Sequence, residues 1–457
     1  MCFLFQHGMF REHRSLQDNA GAITGENVPE TRQKHANGEK AAMPTKPETA
    51  AMSAARQSRI GMAVGLDTIP AKAPARPPTS VAGGVANAVP VKPASARAPT
   101  ADGAPPPPQR GRGALSNASG RFENETCREE NDGWDLPEDL PPLRTQVTRE
   151  IAKTIVTRND SPDISFDRSI NPYRGCEHGC VYCFARPTHA YLGLSPGLDF
   201  ETRLFAKTNA ACLLERELSA PGYAAKTIAI GTNTDPYQPI ERKERVMRKV
   251  LEVLARTNHP VGIVTKSALV LRDLDLLAPM AQKGLVKVAL SVTTLDPVLA
   301  RKMEPRAASP ERRLDTIRRL AAANVPTAVM VAPIIPAIND AEIEAILTRA
   351  RAMGARDAGY VLLRLPLEVR ELFAEWLRAH YPDKLKHVLS LMRASREGKL
   401  YVSRFGARMT GSGPYAWMIG RRFEAAAARL GLGRSTVPLR CDLFRPPARP
   451  GEQLRLF

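Results

Sequence analysis

The chain has 457 residues, a formal net charge of +18 and a hydrophobic content of 43%. This length fits two or three domains, or one barrel with a tail, and the apolar content is sufficient for a sizeable core. The longest apolar run, residues 328–338, is interrupted by Pro333 and Pro336. It is far shorter than the roughly 18 to 20 residues that a membrane span needs, so the sequence predicts a protein without membrane contact.

The seven cysteines are too unevenly placed to form a disulfide framework, because three of them lie within eight residues of one another. This usage indicates a reducing compartment and a metal-type site, and we expect a cytoplasmic protein. Residues 1–10 lack the positively charged start of a secretory signal. The positive charge favours anionic partners, such as nucleic acid, but carries no information about the fold.

Composition divides the chain near residue 115. Between Arg11 and Arg121 there is no Phe, Tyr or Trp, and Ala and Pro dominate. Such a stretch cannot bury enough apolar surface to offset its ordering entropy, so residues 1–115 are predicted to be a disordered basic arm. Three interpretations of this arm are open. It is a linker, or it results from a start codon assigned too far upstream, or it is a basic tether to nucleic acid. After it we expect a lead-in segment (116–165), a barrel (166–366) and a helical extension (367–457).

Short runs of branched aliphatic residues alternate with amphipathic helical patterns through the predicted barrel. Strands are predicted at residues 169–173, 227–231, 261–265, 286–292, 327–332 and 360–365. Helices are predicted at 241–258, 271–283, 310–323 and 340–353, then at 368–379, 385–396 and 415–430, with a β-like end at 439–444. The strand spacing is that of βα units, which predicts an α/β fold, a partial (β/α)6 TIM-like barrel. An open doubly wound sheet is the alternative, because periodicity does not reveal closure.

The most informative motif is a cysteine-rich loop that follows the first predicted strand. Cys176, Cys180 and Cys183 are spaced i, i+4 and i+7 in a loop loosened by glycine. Three thiolates on a short loop can surround one face of an iron–sulfur cluster and leave one iron free for another ligand. A structural zinc site is the alternative, although only one C-x-x-C unit is present and His178 lies inside the loop.

Beyond the cysteines, the sequence resembles a known enzyme family. The Cys-x3-Cys-x2-Cys spacing, with Tyr182 before the last thiol, matches the radical S-adenosylmethionine (SAM) signature. The wider chain, from about residue 111, is similar to radical SAM proteins related to spore photoproduct lyase, and most similar to a bacterial branch sharing the lead-in GRGALSN…GRFE. The stretches that carry the resemblance are NPYRGCEHGCVYCFARPTHAY (171–191), GTNTDPYQPIE (231–241), TKS (265–267), LSVTTLD (290–296), EPRAASPERRL (304–314) and APIIPAIND (332–340).

The resemblance implies two cofactors, a [4Fe–4S] cluster on the three cysteines and SAM on its fourth iron, together with a one-electron donor of the flavodoxin or ferredoxin type. Residues at the predicted strand ends would then contact SAM. These candidates are Tyr182, Thr234, Asp235, Lys266 and Ser291, with Glu304, Arg306 and Asp340 as weaker ones. Asp340 opens a predicted helix and is equally suited to be its N-cap.

One position departs from the related lyases. Spore photoproduct lyases resemble one another in carrying a cysteine, which donates hydrogen to the product radical, where this chain has Asn233. Reversal of a thymine dimer by that route is therefore in doubt. Alternative donors are Cys212 and Cys441, and alternative radical relays are Tyr237, Tyr401 and Tyr415.

These observations predict a radical SAM enzyme that abstracts hydrogen from an unknown substrate, with a nucleic-acid base as the leading class. Basic clusters at 242–245, 312–319 and 421–422 are suited to phosphates, although such residues are often only solvated helix faces. A non-catalytic, zinc-dependent nucleic-acid-binding protein is one alternative, and a radical enzyme acting on small molecules or proteins is another. The oligomeric state is left open.

Overall fold

The computed structural model describes residues 108–123, 143–433 and 438–448, all within one unit of the chain. The predicted arm lies outside the described residues except for 108–115. Residues 112–115 of that stretch are buried, so the packed part of the chain extends upstream of the boundary predicted at residue 115.

Within the described residues, ten strands form two sheets. In chain order they are β1 (Gln146–Glu150), β2 (Val156–Arg158), β3 (Arg168–Ile170), β4 (Tyr173–Arg174), β5 (Arg203–Lys207), β6 (Ile228–Ile230), β7 (Val261–Thr265), β8 (Val286–Ser291), β9 (Thr327–Ile334) and β10 (Asp357–Leu362). The larger sheet has the order β10-β9-β8-β7-β6-β3-β2. Its six strands from β3 to β10 are parallel, and β2 pairs antiparallel with β3 at one edge.

This sheet confirms the predicted α/β architecture with six parallel strands. In the described part of the chain β10 and β2 are edges, so the ring is partial, as in an incomplete TIM-like barrel. The strands could be recognised in the sequence because parallel strands covered on both faces are apolar throughout. In β9, for example, residues 328–331 are all apolar and all buried, on both faces of the strand.

Twelve α-helices connect and cover the strands in the part of the chain that the structure describes. They are α1 (Asp199–Thr202), α2 (Ala210–Leu218), α3 (Glu241–Glu244), α4 (Val246–Arg256), α5 (Leu274–Gln282), α6 (Pro297–Met303), α7 (Pro310–Ala322), α8 (Ile343–Ala352), α9 (Val369–His380), α10 (Leu385–Ala394), α11 (Ala407–Thr410) and α12 (Gly413–Arg429). Short 3₁₀ helices cover Arg186–Leu192, Ala268–Asp273, Asp340–Glu342 and Pro382–Lys384. Within the described residues, no helix combines the length and apolar character needed to cross a bilayer.

Local chemistry explains several helix boundaries. Helix α7 begins after Ser309, whose hydroxyl accepts from the backbone N–H of Arg312 at 3.4 Å, and Pro310 occupies the first turn. The helix predicted over 241–258 is divided into α3 and α4, because Arg245 adopts a left-handed conformation with φ of 51°. The apolar face of α4 is buried in the main core.

Three details differ from the sequence predictions. The small sheet β1-β5-β4 was not predicted, because its short strands carry half-exposed side chains without a clear apolar pattern. The β-like end predicted at 439–444 contains no strand. Asp340 is not an N-cap: it is the first residue of a 3₁₀ helix, and its carboxylate accepts from the Tyr415 hydroxyl at 2.6 Å.

Gly231 joins β6 to the site-bearing loop, and we expect it to be intolerant of any side chain. Its φ is +87°, and an added Cβ would lie 2.0 Å from the backbone oxygen of Val264. Gly231→Ala should lower the free energy of unfolding by about 2 to 4 kcal/mol, through backbone strain and the clash together. Urea denaturation followed by circular dichroism measures this change.

Gly222→Ala is the matched control, because Gly222 has a similar φ of +74° but, among the described residues, no heavy atom lies within 4 Å of the position that its Cβ would take. It should cost only the backbone strain, about 1 to 2 kcal/mol. Equal losses in the two variants would contradict the steric part of the explanation.

Candidate active site

A cavity of about 620 Å³, the main cavity, lies at the carboxyl ends of the parallel strands. This is where parallel α/β folds place functional groups, because loops of variable sequence converge there. Its wall includes the thiols of Cys176, Cys180 and Cys183, which the cysteine loop (residues 175–185) carries directly after β4. The three predicted ligand cysteines thus line one and the same cavity.

The three thiols are suited to a metal cluster rather than to free thiolate chemistry. Burial raises the pKa of all three, that of Cys180 to about 12 and that of Cys176 well above its ordinary value. A buried thiolate therefore needs a compensating positive charge close to its sulfur. Iron supplies that charge, and three thiolates on a short loop are the usual donors to an iron–sulfur cluster. The donor set fits the group that the sequence predicts.

A buried ion pair between Arg186 and Glu201 holds the cysteine loop in place; both side chains are fully buried. The Arg186 guanidinium donates to the carbonyl oxygen of Cys180 at 2.9 Å and to two further backbone carbonyls. The Glu201 carboxylate accepts from the backbone N–H groups of Gly113 and Ala114 at 3.0 and 2.8 Å. One pair therefore ties the loop to α1 and to the lead-in sequence far upstream.

The backbone of the GRGALSN stretch (residues 111–117) lies directly against the cysteine loop. A Cβ on Gly113 would lie 1.8 Å from the carbonyl oxygen of Gly179, so only glycine allows this approach. Gly179 itself has a φ of +68°, which also favours glycine. The lead-in glycine thus forms part of the wall that shapes the loop between the first two thiols.

Tyr182 is fixed from behind by a buried acidic residue. Its hydroxyl donates to Glu304, which also accepts from the Thr293 hydroxyl at 2.6 Å and forms an ion pair with Arg313. Burial alone would raise the pKa of Glu304, but Arg313 and Lys266 outweigh it and lower the pKa to about 2. Glu304 is therefore an ionised support for Tyr182 rather than part of the cavity wall.

Lys266 follows β7 and presents a cation to the main cavity, with its Nζ 5.8 Å from the centroid of the Tyr182 ring. Burial would lower its pKa, but Cys180 and Glu304 outweigh burial and raise it. The ammonium group is therefore charged. Ser291, at the end of β8, lines the same cavity.

Thr234 and Asp235 are neighbours in sequence but face different surroundings. The Thr234 hydroxyl donates to the backbone oxygen of Tyr173 at 3.0 Å, and Thr234 does not line the main cavity. Asp235 does line it, but its carboxylate already accepts from the Thr265 hydroxyl at 2.7 Å and from the backbone N–H of Lys266 at 2.8 Å.

Further contacts define the charge state of Asp235. The backbone N–H of Tyr237 donates to it at 2.9 Å, and Nδ1 of His178 lies 3.3 Å away. Burial would raise the pKa of this carboxyl, but His178 and the surrounding donors lower it to about 2. Since a carboxylate offers about four acceptor positions, the protein itself occupies those of Asp235. Its evident role is to position Lys266 and the cysteine loop.

Comparison with known proteins agrees with this geometry. Residues 170–350 match the radical SAM superfamily. An uncharacterised protein of Mycobacterium tuberculosis is 40% identical over 232 residues, which cover 50% of this chain and 68% of the relative. The chain belongs to the radical SAM superfamily. An uncharacterised protein of Methanocaldococcus jannaschii is 26% identical over 214 residues, covering 47% of this chain and 76% of the relative.

Solved structures of spore photoproduct lyase align with part of this chain. A single-residue mutant of that lyase is 18% identical, with a TM-score of 0.46 over 63% of this chain and 80% of the lyase. The lyase complexed with a dinucleoside spore photoproduct is 17% identical, with a TM-score of 0.47 over the same shares. As a radical SAM protein, the chain uses a [4Fe–4S] cluster and SAM as cofactors.

Most of the remaining candidate residues lie outside the main cavity. Arg306 pairs with Glu177 at 2.8 Å outside the main cavity. Cys212 and Cys441 are exposed and do not line the cavity, so neither is placed to donate hydrogen inside it, whereas Asn233 does line it. In the described part of the chain, no three His, Cys, Asp or Glu side chains, the three cluster cysteines included, converge on one ion position as a single zinc ion would require. A [4Fe–4S] cluster has no such requirement, because each of its cysteine ligands binds a different iron.

The predicted tyrosine relays are engaged elsewhere. The Tyr237 hydroxyl donates to Asp273 at 3.1 Å, and the Tyr415 hydroxyl is bound by Asp340. Tyr401 lies 3.4 Å from a terminal guanidinium nitrogen of Arg364 and does not line the main cavity. The commoner explanation for such tyrosines, a hydrogen-bonded hydroxyl in a packed environment, accounts for all three.

Sequence reasoning missed Arg364 and Phe184, which face each other in the main cavity. The guanidinium carbon of Arg364 lies 4.8 Å from the centroid of the Phe184 ring. Its Nε is buried and, among the described residues, has no hydrogen-bond partner. Phe184 directly follows Cys183, and Arg364 comes two residues after β10; these positions were the available signals.

The Arg186–Glu201 pair should be essential for the cysteine loop. Arg186→Met leaves a buried carboxylate without its cation, and we expect the free energy of unfolding to fall by about 3 to 5 kcal/mol. Arg203→Met is the matched control, because Arg203 is partly exposed and lies 3.8 Å from Asp199. That control should lose less than about 1 kcal/mol in urea denaturation of the cluster-free protein. A similar loss in both variants would contradict the assignment.

Proposed function

We propose that Cys176, Cys180 and Cys183 bind the [4Fe–4S] cluster of a radical SAM enzyme whose substrate occupies the same cavity. When bound, the cluster and SAM supply a 5′-deoxyadenosyl radical, which abstracts hydrogen from an unreactive C–H bond. The observation that supports this assignment is that buried Cys176 and Cys180 line one cavity together with half-buried Cys183 and the charged Lys266. The protein contributes position and exclusion of water.

The residues around the thiols have complementary roles in this proposal. Lys266 provides a point charge for the SAM carboxylate, and Ser291 a hydroxyl for its ribose or methionine portion. Tyr182 offers an aromatic face whose orientation is fixed by the Glu304 contact. Asp235 acts indirectly, because its carboxylate holds the backbone of Lys266. Thr234 supports the loop through Tyr173.

We propose a nucleic-acid base as the substrate class. Lys207 and Arg364 line the main cavity and provide positive charge for phosphates. Arg174 in the same wall is already paired with Glu150. Phe184 provides a ring face on which a base can stack, beside the guanidinium of Arg364. The side chain of Asn233 cannot give a hydrogen atom to a product radical. The proposed reaction on the base therefore does not end with return of a hydrogen atom from a cysteine at that position, in contrast to the reaction of a photoproduct lyase.

A cytoplasmic location suits this chemistry. All five described cysteines are free, and three of them must stay reduced to hold a cluster. A one-electron donor of the flavodoxin or ferredoxin type is then available in the same compartment. The chemistry therefore calls for no disulfide and no oxidising environment.

Replacing one ligand should abolish SAM cleavage. After anaerobic reconstitution with iron and sulfide, we expect the wild type to bind about 4 iron atoms per chain and to form 5′-deoxyadenosine with SAM and dithionite. Cys180→Ser should lose at least 100-fold in that rate, because one thiolate of the set is gone. Cys212→Ser is the control, since this exposed thiol lies outside the cavity, and it should retain the wild-type rate.

A colourless wild-type protein that holds about one zinc ion and cleaves no SAM would overturn the enzyme assignment. It would support the zinc-dependent binding protein instead. Loss of activity in both cysteine variants would indicate that the variants are generally unstable. The iron content of each variant, measured together with its rate, distinguishes general instability from the loss of one cluster ligand.

The substrate class is tested by binding of single-stranded DNA. We expect Arg364→Met to weaken the binding of a short oligonucleotide about 5- to 20-fold, because a phosphate contact and a stacking neighbour are lost together. Arg421→Met removes an equal charge from an exposed site outside the cavity, where Arg421 pairs with Glu424 at 3.5 Å, and should change affinity less than twofold. Fluorescence anisotropy at two salt concentrations measures both. Wild-type protein without affinity for DNA would exclude a base in DNA as the substrate.

A further inference from the structure

A second cavity of about 350 Å³, the arginine recess, adjoins the cysteine loop. None of the SAM-binding residues proposed above lines it. Arg242, Arg306 and Arg312 line it, and His178 and Tyr237 form its buried part. The arginines come from three places in the chain: α3, the loop after α6, and α7. The fold therefore gathers three exposed cations around one concave surface.

Little negative charge compensates these cations. Arg306 pairs with Glu177 at 2.8 Å. Within the described residues neither Arg242 nor Arg312 forms a direct ion pair, although Arg312 interacts at longer range with Asp315. By contrast, Arg313 is buried against Glu304, and Arg422 pairs with Glu344 at 2.7 Å. Of the basic clusters seen in the sequence, the recess therefore collects cations that remain available for an external anionic group. Such a surface attracts acidic partners and orients them during encounter.

His178 connects the recess to the proposed cluster site. It lies in the cysteine loop between Cys176 and Cys180, is only 2% exposed, and lines both cavities. Its Nδ1 lies 3.3 Å from Asp235, and its backbone oxygen accepts from the N–H of Arg306 at 3.2 Å. His178 is thus a residue common to the recess and the main cavity.

We propose that the arginine recess is the docking surface for an acidic one-electron donor, a small flavin or iron–sulfur protein. This inference rests on the proposed function. A partner bound there approaches the cluster from outside the cysteine loop and leaves the main cavity free for SAM and substrate. In the transfer step the reduced donor loses one electron, the oxidised cluster gains it, and no bond is formed or broken.

Reversing the charge of the two unpaired arginines tests this docking surface. With reduced flavodoxin as the probe, Arg242→Glu/Arg312→Glu should raise the donor concentration for half-maximal SAM cleavage at least tenfold and flatten its salt dependence. With dithionite, which needs no docking surface, the rate should stay within twofold of wild type. An unchanged dithionite rate also shows that the variant is folded and loaded.

Arg370→Glu/Arg378→Glu is the matched control, because it introduces the same charge change at exposed positions of α9 outside the recess. It should stay within twofold of wild type with either reductant. Equal flavodoxin kinetics for wild type and the recess variant would overturn the docking proposal while the dithionite rate upholds the radical function. Loss of DNA affinity in the recess variant, with unchanged donor kinetics, would overturn it in favour of a nucleic-acid surface. Absence of SAM cleavage with dithionite in the wild type would refute the proposed function itself.

Discussion

The buried ion pair between Arg186 and Glu201 is the constraint on which the site depends. Two charges without solvent are costly unless each also satisfies its remaining hydrogen bonds. Here the guanidinium binds three backbone carbonyls and the carboxylate binds two backbone N–H groups. Those partners belong to the cysteine loop, to the segment before α1 and to the lead-in sequence. The buried pair is stable only when all of these hydrogen bonds are made. It therefore fixes the positions of three segments that are far apart in the sequence.

A second buried charge system positions the other wall of the cavity. Glu304 supports Tyr182 and pairs with Arg313, while its negative charge helps to keep Lys266 protonated. Asp235 plays the corresponding role for the backbone of Lys266. The residues suited to touch cofactors are thus held by ionised residues behind them. A rigid arrangement of this kind suits radical chemistry, in which a displaced group would admit competing hydrogen donors.

The sequence predicted best those features that depend on residues close together in the chain. The strand predicted at 261–265 coincides with β7, because a strand covered on both faces must be apolar along its length. The thiol spacing likewise reports a short loop. Contacts between distant segments have no such local signal: Phe184 and Arg364 meet across 180 residues, and Glu201 bonds Gly113 across 88. For the same reason, adjacent residues such as Thr234 and Asp235 could not be assigned different surroundings in advance.

The close approach of Gly113 to Gly179 limits where the chain can be truncated without loss of contacts to the cysteine loop. The stretch that matches the superfamily starts at residue 170, more than 50 residues after the glycine that lines its cysteine loop. A fragment cut at that boundary would leave the Glu201 carboxylate without two of its donors and remove one wall of the loop. The catalytic unit is therefore longer than the recognisable domain. Recombination that exchanges such domains would have to carry the upstream glycine along with the cysteines.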